Sequence, residues 1–300
     1  MPISLQFKTK ELVDKGWSGD KKYRVTDQNG CVYLLRVSPA AQYERKKSEF
    51  ERMRQVASFH IPMCRPLQFG MCDEGVYSLQ TWIDGQDAEA CLPQMSNAQK
   101  YAYGEEAGRI LQRMHALPIP LPKDWPEWEA RFNRKIDYKL KLYNECTLKY
   151  EKDQPFLEYL ASNRHLLKNR PQTYQHGDYH VGNMMIDHSG QLQIIDFNRD
   201  DFGDPWEEFN RIVWCAQSTP LFATGMVNGY FDNKVPMDFW RLLALYIACN
   251  TISSLPWAVP FGEGEINTMR KQAKEVLAWY DDMQNPVPTW YKGVCTSECF

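Results

Sequence analysis

The first 82 residues carry the pattern of short strands, in which β-branched and aromatic residues alternate with polar ones between turn signals. Residues 23–25 and 32–37 flank the turn sequence DQNG at 27–30, which predicts an antiparallel hairpin. Residues 75–82 predict a further strand that runs into a linker. Between these strands the spacing of the apolar residues changes to three positions, which predicts one helix through Phe50, Met53 and Val56.

Beyond residue 85 apolar residues recur every three or four positions, which is typical of helices with one buried face. Ser96 and Gln99 form a capping-box signal for the first of these helices, and Pro118 follows its end. Further helices are predicted at 127–150, 155–168, 206–216, 238–250 and 264–283. This order of elements predicts an α+β fold with a small β-rich N-lobe at residues 1–82 and a larger, mainly helical C-lobe at residues 83–300.

Composition narrows the class of protein. The chain has 300 residues, of which 43% are hydrophobic, and this is enough to bury a substantial core. A net charge of −3 gives no general attraction to nucleic acid or to an anionic membrane. The nine cysteines include no C-x-x-C pair, which favours free thiols in a reducing cytoplasm. The longest apolar segment, 242–261, is interrupted by polar residues and Pro256, so we expect a core helix and no membrane span.

The densest chemical signal lies in residues 174–204. Two short apolar runs, 184–186 and 192–195, flank turn residues and predict a second hairpin. Antiparallel pairing would bring the residue before the first strand, Asn183, beside the residue after the second, Asp196. An amide oxygen and a carboxylate at one point suit Mg²⁺, which takes few protein ligands together with phosphates and water.

Asp178 lies five positions before Asn183, on the loop that leads into this hairpin. A carboxylate in that position can receive the proton of an attacking hydroxyl, while Asn183 and Asp196 hold the metal on the phosphates. The three residues together therefore predict phosphoryl transfer. The alternative is an ordinary polar hairpin with a solvated Asp and Asn.

The predicted N-lobe offers candidates for holding a nucleotide. Ser18 and Gly19 lie on a short loop whose backbone amides can approach phosphates, although a plain turn is the alternative. Gln80 and Trp82 stand at the end of the strand 75–82, where the following linker would contact adenine. Core packing is an equal interpretation for Trp82.

Arg36 ends a predicted strand, and Glu49 lies 13 residues later on the predicted helix. Kinases hold the α- and β-phosphates with a strand cation that a helix Glu fixes, and this pair fits that arrangement. A surface ion pair is the alternative.

Acidic residues are concentrated directly after Asp196. They are Asp200, Asp201, Asp204, Glu207 and Glu208. Acids next to Pro205 suit the first turn of a helix, where they interact favourably with the helix dipole. The same acids, in particular Asp201, Glu207 and Glu208, are also candidates for binding a cationic substrate, and both interpretations stay open.

The motif H-G-D-x-x-x-x-N at 176–183, followed by I-D-F and G-D-P, resembles the aminoglycoside phosphotransferase and choline kinase-like family, relatives of the protein kinases. The order and lengths of the elements agree over nearly the whole chain, so the resemblance implies a two-lobed protein kinase-like fold. The roles it implies are Asp178 as catalytic base, Asn183 and Asp196 as magnesium ligands, Arg36 and Glu49 as the phosphate-positioning pair, Asp204 as support for the loop, and Arg199 as a contact for phosphate or substrate.

The resemblance also implies a function. We expect an ATP- and Mg²⁺-dependent kinase that phosphorylates a hydroxyl of a small polar, cationic molecule, with an aminoglycoside-type antibiotic as the first candidate and antibiotic resistance as its consequence. The alternatives are choline, another amino alcohol or a different metabolite as acceptor, or a nucleotide-binding protein without turnover. Arg36 departs from the Lys of many relatives, and the two cations are not interchangeable on phosphates. We expect a cytoplasmic protein with no nucleic-acid or membrane partner, and the sequence carries no signal for an oligomeric state.

Overall fold

The structure is a computed structural model that describes residues 6–14 and 19–294. The chain divides into two compact units. Unit 1 comprises Met1–Ala88 and Asn183–Asp200, and unit 2 comprises Glu89–Gly182 and Asp201–Phe300. Ser18, which the sequence assigns to a phosphate-binding loop, lies outside the described residues.

Unit 1 is built on a five-stranded antiparallel sheet in the order β1-β2-β3-β5-β4. The strands are β1 (Thr9–Leu12), β2 (Lys21–Thr26), β3 (Val32–Ser38), β4 (Pro66–Cys72) and β5 (Gly75–Thr81). β2 and β3 form the hairpin that the turn at 27–30 predicts, and Gly30 supplies the positive φ of 86° in that turn. Side chains from three of these strands form one small core: Val25, Leu35, Val37, Tyr77 and Leu79.

One long helix, α1 (Tyr43–Ser58), packs against the sheet through the apolar residues that predicted it. Phe50, Met53 and Val56 are its buried residues, and the Phe50 ring centroid lies 5.4 Å from that of Phe69 on β4. The charged side chains of α1 lie on its other faces. Two of them, Lys46 and Glu49, belong to the candidate site described below.

A second sheet of unit 1 contains the predicted hairpin. Its antiparallel strands are β6 (Gly85–Asp87), β8 (Met184–Asp187) and β9 (Leu192–Ile194), in the order β6-β8-β9. The Ile194 amide also donates to the Pro62 carbonyl oxygen at 2.9 Å. These main-chain bonds explain why the hairpin belongs to unit 1. The sequence prediction, which divides the chain once near residue 82, assigns the hairpin to the C-lobe.

Unit 2 is mainly helical. The helices that follow α1 along the chain are α2 (Ala88–Cys91), α3 (Asn97–His115), α4 (Trp128–Glu145), α5 (Gln154–Asn163), α6 (Ile212–Ser218), α7 (Pro220–Tyr230), α8 (Met237–Ala258) and α9 (Glu263–Trp279). Two short strands, β7 (Thr173–Gln175) and β10 (Asp201–Gly203), pair antiparallel. The predicted capping box of α3 is present, because Ser96 and Gln99 satisfy each other's backbone amides. A strand-rich N-terminal region and a helical C-terminal region confirm the predicted fold class.

The sequence prediction missed α7, which packs closely against α3. A Cβ atom on Gly104 of α3 would lie 2.2 Å from the Phe222 carbonyl oxygen, so the two backbones meet where only glycine fits. Every residue of α7 from Phe222 to Tyr230 is buried. A helix that is covered on all sides has no polar face, and the periodic signal of an amphipathic helix is then absent.

Of the described helices, α8 with the turn that follows it, Met237–Phe261, is long and apolar enough to cross a membrane by length and composition. Most of its side chains are buried inside unit 2, among them Leu243 and Leu245. α8 is therefore a core helix, as the interrupted apolar segment predicts.

Candidate active site

The open end of the β8–β9 hairpin brings Asn183 and Asp196 together. Met184 pairs with Ile194, and the Ile195 amide donates to the Asn183 carbonyl oxygen at 3.0 Å. Asn183 is therefore opposite Ile195, directly beside Asp196. Asp196 has a left-handed backbone with a φ of 68°, a conformation that ends the strand and that is uncommon outside glycine.

Arg36 of β3 binds the Asp196 side chain. Its Nη1 donates to Asp196 Oδ1 at 2.6 Å, and Lys22 Nζ lies 4.0 Å from Asp196 Oδ2. Burial alone lowers the pKa of Arg36, but the carboxylates of Asp196 and Asp20 outweigh burial and raise the pKa above its usual value. Arg36 thus remains a cation and fixes Asp196 at the end of the hairpin.

Asp20 is the second carboxylate that binds Arg36. Arg36 Nη2 lies 3.1 Å from Asp20 Oδ2, Lys46 Nζ of α1 donates to the same oxygen at 3.0 Å, and the Ser38 hydroxyl donates to Asp20 Oδ1 at 2.6 Å. Burial raises the pKa of Asp20, but the hydrogen bond from Ser38 and the charges of Arg36 and Lys46 lower it more. Asp20 is therefore a buried carboxylate that binds donors from β3 and from α1.

Glu49 is joined to Arg36 through other residues of this cluster. Its carboxylate binds Lys46 Nζ at 3.0 Å and Arg45 Nε at 2.9 Å, on the same helix. Because Lys46 also binds Asp20, the charges form one linked series from Glu49 to Asp196. We call this series, Glu49–Lys46–Asp20–Arg36–Asp196, the charge chain of unit 1.

Four residues of the charge chain, Glu49, Lys46, Asp20 and Arg36, line a cleft within unit 1. Gln80 of β5 lines the same cleft, together with Phe197 and Asn198, which follow Asp196 directly. A second cleft is lined by Gly19, Lys46, Arg199 and neighbouring residues. The structure thus gathers most of the predicted nucleotide-binding residues of unit 1 at two clefts that share Lys46.

Trp82 has a different environment from Gln80. It lies one residue beyond β5, and the guanidinium carbon of Arg24 lies 5.6 Å from its ring centroid. This separation permits a cation–π interaction.

Asp178 lies in unit 2, on a loop that is held by side chains of the same unit. The Glu208 carboxylate accepts the His176 amide at 2.7 Å and the Gly177 amide at 2.9 Å, and the Asp178 amide donates to His176 Nδ1 at 3.3 Å. Gly177 has a φ of 83°, which lets the loop turn at this point. Glu208, which the sequence offered as a substrate-binding acid, is buried and braces the loop from inside the fold.

The Asp178 carboxylate faces two basic side chains of unit 2. Arg211 Nε lies 3.3 Å from Asp178 Oδ1, and His180 Nε2 lies 3.7 Å from the same oxygen. The segment Glu207–Arg211 is a 3₁₀ helix that supplies Glu208 to the loop backbone and Arg211 to the Asp178 side chain. One short element therefore positions both the loop and its carboxylate.

The other acids of the patch that lie in unit 2 also bind groups of that unit, whereas Asp200 lies in unit 1 and pairs with Arg52. Asp204 is fully buried, receives two hydrogen bonds from Arg170 at 2.7 and 2.9 Å and one from the Tyr246 hydroxyl at 2.6 Å, and so holds the segment after β10. Asp201 pairs with Arg131. Glu207 pairs with Lys135 at 2.8 Å.

Three residues of the site escaped the sequence prediction: Asp20, Lys46 and Arg211. Lys46 lies three residues before Glu49 and hence on the same helix face, which is a weak signal for it. Asp20 and Arg211 reach their partners through tertiary packing, and no spacing in the sequence indicates these contacts.

The chain matches a known protein family. The sequence model of the phosphotransferase enzyme family matches residues 10–241. No curated protein matches the chain at significant sequence similarity.

Solved structures with a similar fold include three kinases. The GDP complex of an aminoglycoside 2′-phosphotransferase-IIIa mutant superposes with a TM-score of 0.68 at 15% identity, covering 94% of this chain and 95% of that one. A thermostable mutant of aminoglycoside phosphotransferase APH(4)-Ia, in ternary complex with AMP-PNP and hygromycin B, gives 0.67 at 16% identity over 91% and 94%. A choline/ethanolamine kinase family protein from Mesorhizobium loti gives 0.66 at 15% identity over 92% and 90%.

These structures share the fold of the chain, and the sequence match extends over most of its length, through both units and the H-G-D-x-x-x-x-N motif. The chain belongs to the phosphotransferase enzyme family and is a small-molecule kinase.

Proposed function

We propose that this kinase transfers the γ-phosphate of ATP to a hydroxyl of a small polar acceptor, with the residues of the hairpin end and of the Asp178 loop as its machinery. The observation that carries the proposal is the hairpin end, where Asn183 and Asp196 meet and Arg36 holds Asp196. Nucleotides in complexes of proteins with the same fold, such as AMP-PNP and GDP, support a nucleotide as donor.

Arg36 and Lys46 are the cations proposed to bind phosphate oxygens. Both are largely buried and line the cleft of unit 1, so their charges are poorly screened by solvent. Asp20 and Glu49 hold the two cations in place. Phosphoryl transfer requires little covalent chemistry from the protein. Fixed cations therefore supply much of the stabilisation of the transition state, through their position and their charge.

Asn183 and Asp196 are the proposed Mg²⁺ ligands. The two residues are adjacent at the hairpin end, and a hard cation of this type takes its remaining ligands from phosphates and water. Among the described residues no group of three or more His, Cys, Asp or Glu side chains is arranged to hold a metal. When bound, the ion would neutralise charge on the transferred phosphoryl group. Arg36 would keep the Asp196 carboxylate oriented.

Asp178 is the proposed acceptor of the hydroxyl proton. Arg211 and His180 contact its carboxylate, and Glu208 fixes the backbone on which it sits. A carboxylate that is held in one orientation can align the hydroxyl for in-line attack as well as take its proton.

The acceptor class and the location remain proposals. Hygromycin B in a complex of a similar structure supports an aminoglycoside-type acceptor, and the choline/ethanolamine kinase family protein supports an amino alcohol. A protein that binds nucleotide without turnover is the alternative class, against which the three intact residues Asp178, Asn183 and Asp196 argue. Six described cysteines, Cys31, Cys64, Cys72, Cys146, Cys215 and Cys249, are free thiols, which supports a cytoplasmic location.

Replacing Asp178 tests the function. We expect Asp178→Asn to lower kcat by about a thousandfold and to leave ATP binding within about threefold, because the amide keeps the shape but cannot take the proton. The measurement is Mg²⁺-dependent ADP release with a panel of aminoglycosides, choline, ethanolamine, homoserine and methylthioribose. Asp238→Asn, an exposed position of unit 2, is the matched control. Near-full turnover in Asp178→Asn would show that another group accepts the proton.

A further inference from the structure

The charges around Asp178 do not suit a polycationic acceptor. The acids of the patch that lie in unit 2 are each bound within that unit: Asp201 by Arg131, Asp204 by Arg170 and Tyr246, Glu207 by Lys135, and Glu208 by backbone amides. A carboxylate that already neutralises a cation or satisfies amides offers little to a further ammonium group.

Cations, in contrast, are in excess there. Lys135 and Lys139 lie four residues apart on α4 and therefore on one face of that helix. Arg211 belongs to the same short 3₁₀ helix as Glu207. Burial raises the pKa of Glu207, but the charges of Lys135, Lys139 and Arg211 outweigh burial and lower it. All three cations thus act on this single carboxylate. Since Arg211 also contacts Asp178, the group is contiguous with the proposed catalytic loop.

Lys139 is the member of this group without a counter-ion. Among the described residues, Lys135 pairs with Glu207 and Arg211 with Asp178, whereas Lys139 makes no ion pair or hydrogen bond. Its side chain is half-buried. Burial lowers the pKa of Lys139 to about 8, and the like charges of Lys135 and Arg211 act in the same direction.

The balance of charge in this group is positive. Three cations, Lys135, Lys139 and Arg211, face two carboxylates, Asp178 and Glu207, and one of these is the proposed proton acceptor. The other groups that face Lys139 do not change the sign, because Cys249 of α8 carries a thiol whose pKa is raised by burial. Lys139 thus belongs to a group of charged side chains that reaches the Asp178 carboxylate through Glu207 and Arg211. A half-buried ammonium without a counter-ion in such a group is a site for an anionic group.

We propose that the acceptor carries a carboxylate or phosphate group that binds Lys139 beside Arg211, while its hydroxyl lies at Asp178. This inference rests on the proposed function and names the class of acceptor: a hydroxylated organic anion, in place of a polycation. In the reaction the acceptor hydroxyl oxygen bonds to the γ-phosphorus of ATP. The bond from that phosphorus to the bridging oxygen breaks, ADP leaves, and the hydroxyl proton goes to Asp178.

Matched acceptors and one substitution test this inference. The panel pairs each anion with a neutral analogue: gluconate with glucose, 4-hydroxybutyrate with its amide, and glycerol 3-phosphate with glycerol, and kanamycin is the polycation. We expect turnover with an anion and a KM for it that rises about tenfold in Lys139→Met, with kcat within about threefold. Lys139→Arg should restore the KM. Lys141→Met, an exposed lysine of the same helix, is the control and should change neither constant.

The dependence on pH adds a readout that a purely structural lysine would not give. Lys139 is a cation below its pKa and neutral above it, so the KM for the anion should rise as the pH passes 8. Lys135, Glu207, Arg211 and Cys249 face the same point, and the Lys139→Arg variant separates their titration from that of Lys139 because its guanidinium stays charged. A KM for the anion that is unchanged across pH 8 in the unsubstituted protein would count against the proposal.

Direct binding keeps this inference separable from the proposed function. Calorimetric titration of the unsubstituted protein and of Lys139→Met with gluconate and with glycerol 3-phosphate needs no turnover. Binding that is lost in Lys139→Met supports the anion site even if no acceptor gives ADP release, in which case the proposed function fails alone. Efficient phosphorylation of kanamycin that Lys139→Met leaves unchanged, or the absence of Lys139-dependent binding of either anion, overturns the inference.

Discussion

Units 1 and 2 each contain a cluster of cations, but the two units neutralise their cations differently. In unit 1 the cations Arg36 and Lys46 each bind two carboxylates of the same unit, so each cation of the charge chain has its counter-ions within that unit. In unit 2 the cations around Asp178 outnumber the carboxylates, and Lys139 makes no ion pair with any residue that the structure describes. The cluster of unit 1, in which every cation is neutralised, fits the proposed site for a nucleotide that brings its own metal. The cluster of unit 2, in which Lys139 lacks a counter-ion, fits the proposed acceptor that supplies a negative charge.

Removing Glu208 should have the largest effect, because this residue of unit 2 is buried and bound to two backbone amides. We expect Glu208→Ala to lower the free energy of unfolding by about 3 kcal/mol, since the His176 and Gly177 amides lose their acceptor. Urea unfolding at neutral pH measures this loss, with Glu263→Ala on the surface of α9 as the control. A change below about 0.5 kcal/mol would mean that the loop needs no brace from Glu208.

Replacing Lys46 should weaken the binding of ATP and leave the binding of the acceptor unchanged. In Lys46→Met the charge chain of unit 1 loses its link between Glu49 and Asp20, and we expect the KM for ATP to rise about tenfold while the KM for the acceptor stays within about twofold. Lys47→Met, the adjacent lysine, serves as the control in the same steady-state assay. If the acceptor KM changed as much as the ATP KM, the two clusters would not act separately.

The smallest expected effect is on the pH dependence of stability. It tests whether the ionised Asp20 carboxylate stabilises the fold. The pKa of Asp20 in the fold lies below its ordinary value of 3.8, so its ionised form stabilises the protein above that pH. This contribution is lost as the pH falls through the lowered pKa. We expect Asp20→Asn to cost about 1 kcal/mol of unfolding free energy at pH 6 and less near pH 3. Thermal unfolding between pH 3 and 6 measures the difference, and a cost that is equal at both ends would contradict the assignment.

Much of the fold was predictable because its signals are local. The turn at 27–30, the capping box at Ser96 and the amphipathic stripes of α1 and α3 each depend on residues a few positions apart. The elements that escaped prediction lack such signals. α7 is buried on all sides and has no polar face to mark its period, and the assignment of the hairpin to unit 1 depends on bonds to Pro62 and to β6, roughly a hundred residues earlier.

For the site, the sequence by itself determined the hairpin that joins Asn183 to Asp196, because antiparallel pairing across a short turn sets which residues meet. It also determined the loop that carries Asp178, through a fixed interval of five residues. Only the tertiary structure decided how the charges combine. Whether Glu208 faces the loop backbone or a substrate, whether Asp20 and Lys46 link Arg36 to Glu49, and whether Lys139 lacks a counter-ion depend on contacts between distant elements. Such contacts follow from packing and burial, which select a partner by position in space and leave no fixed spacing in the chain.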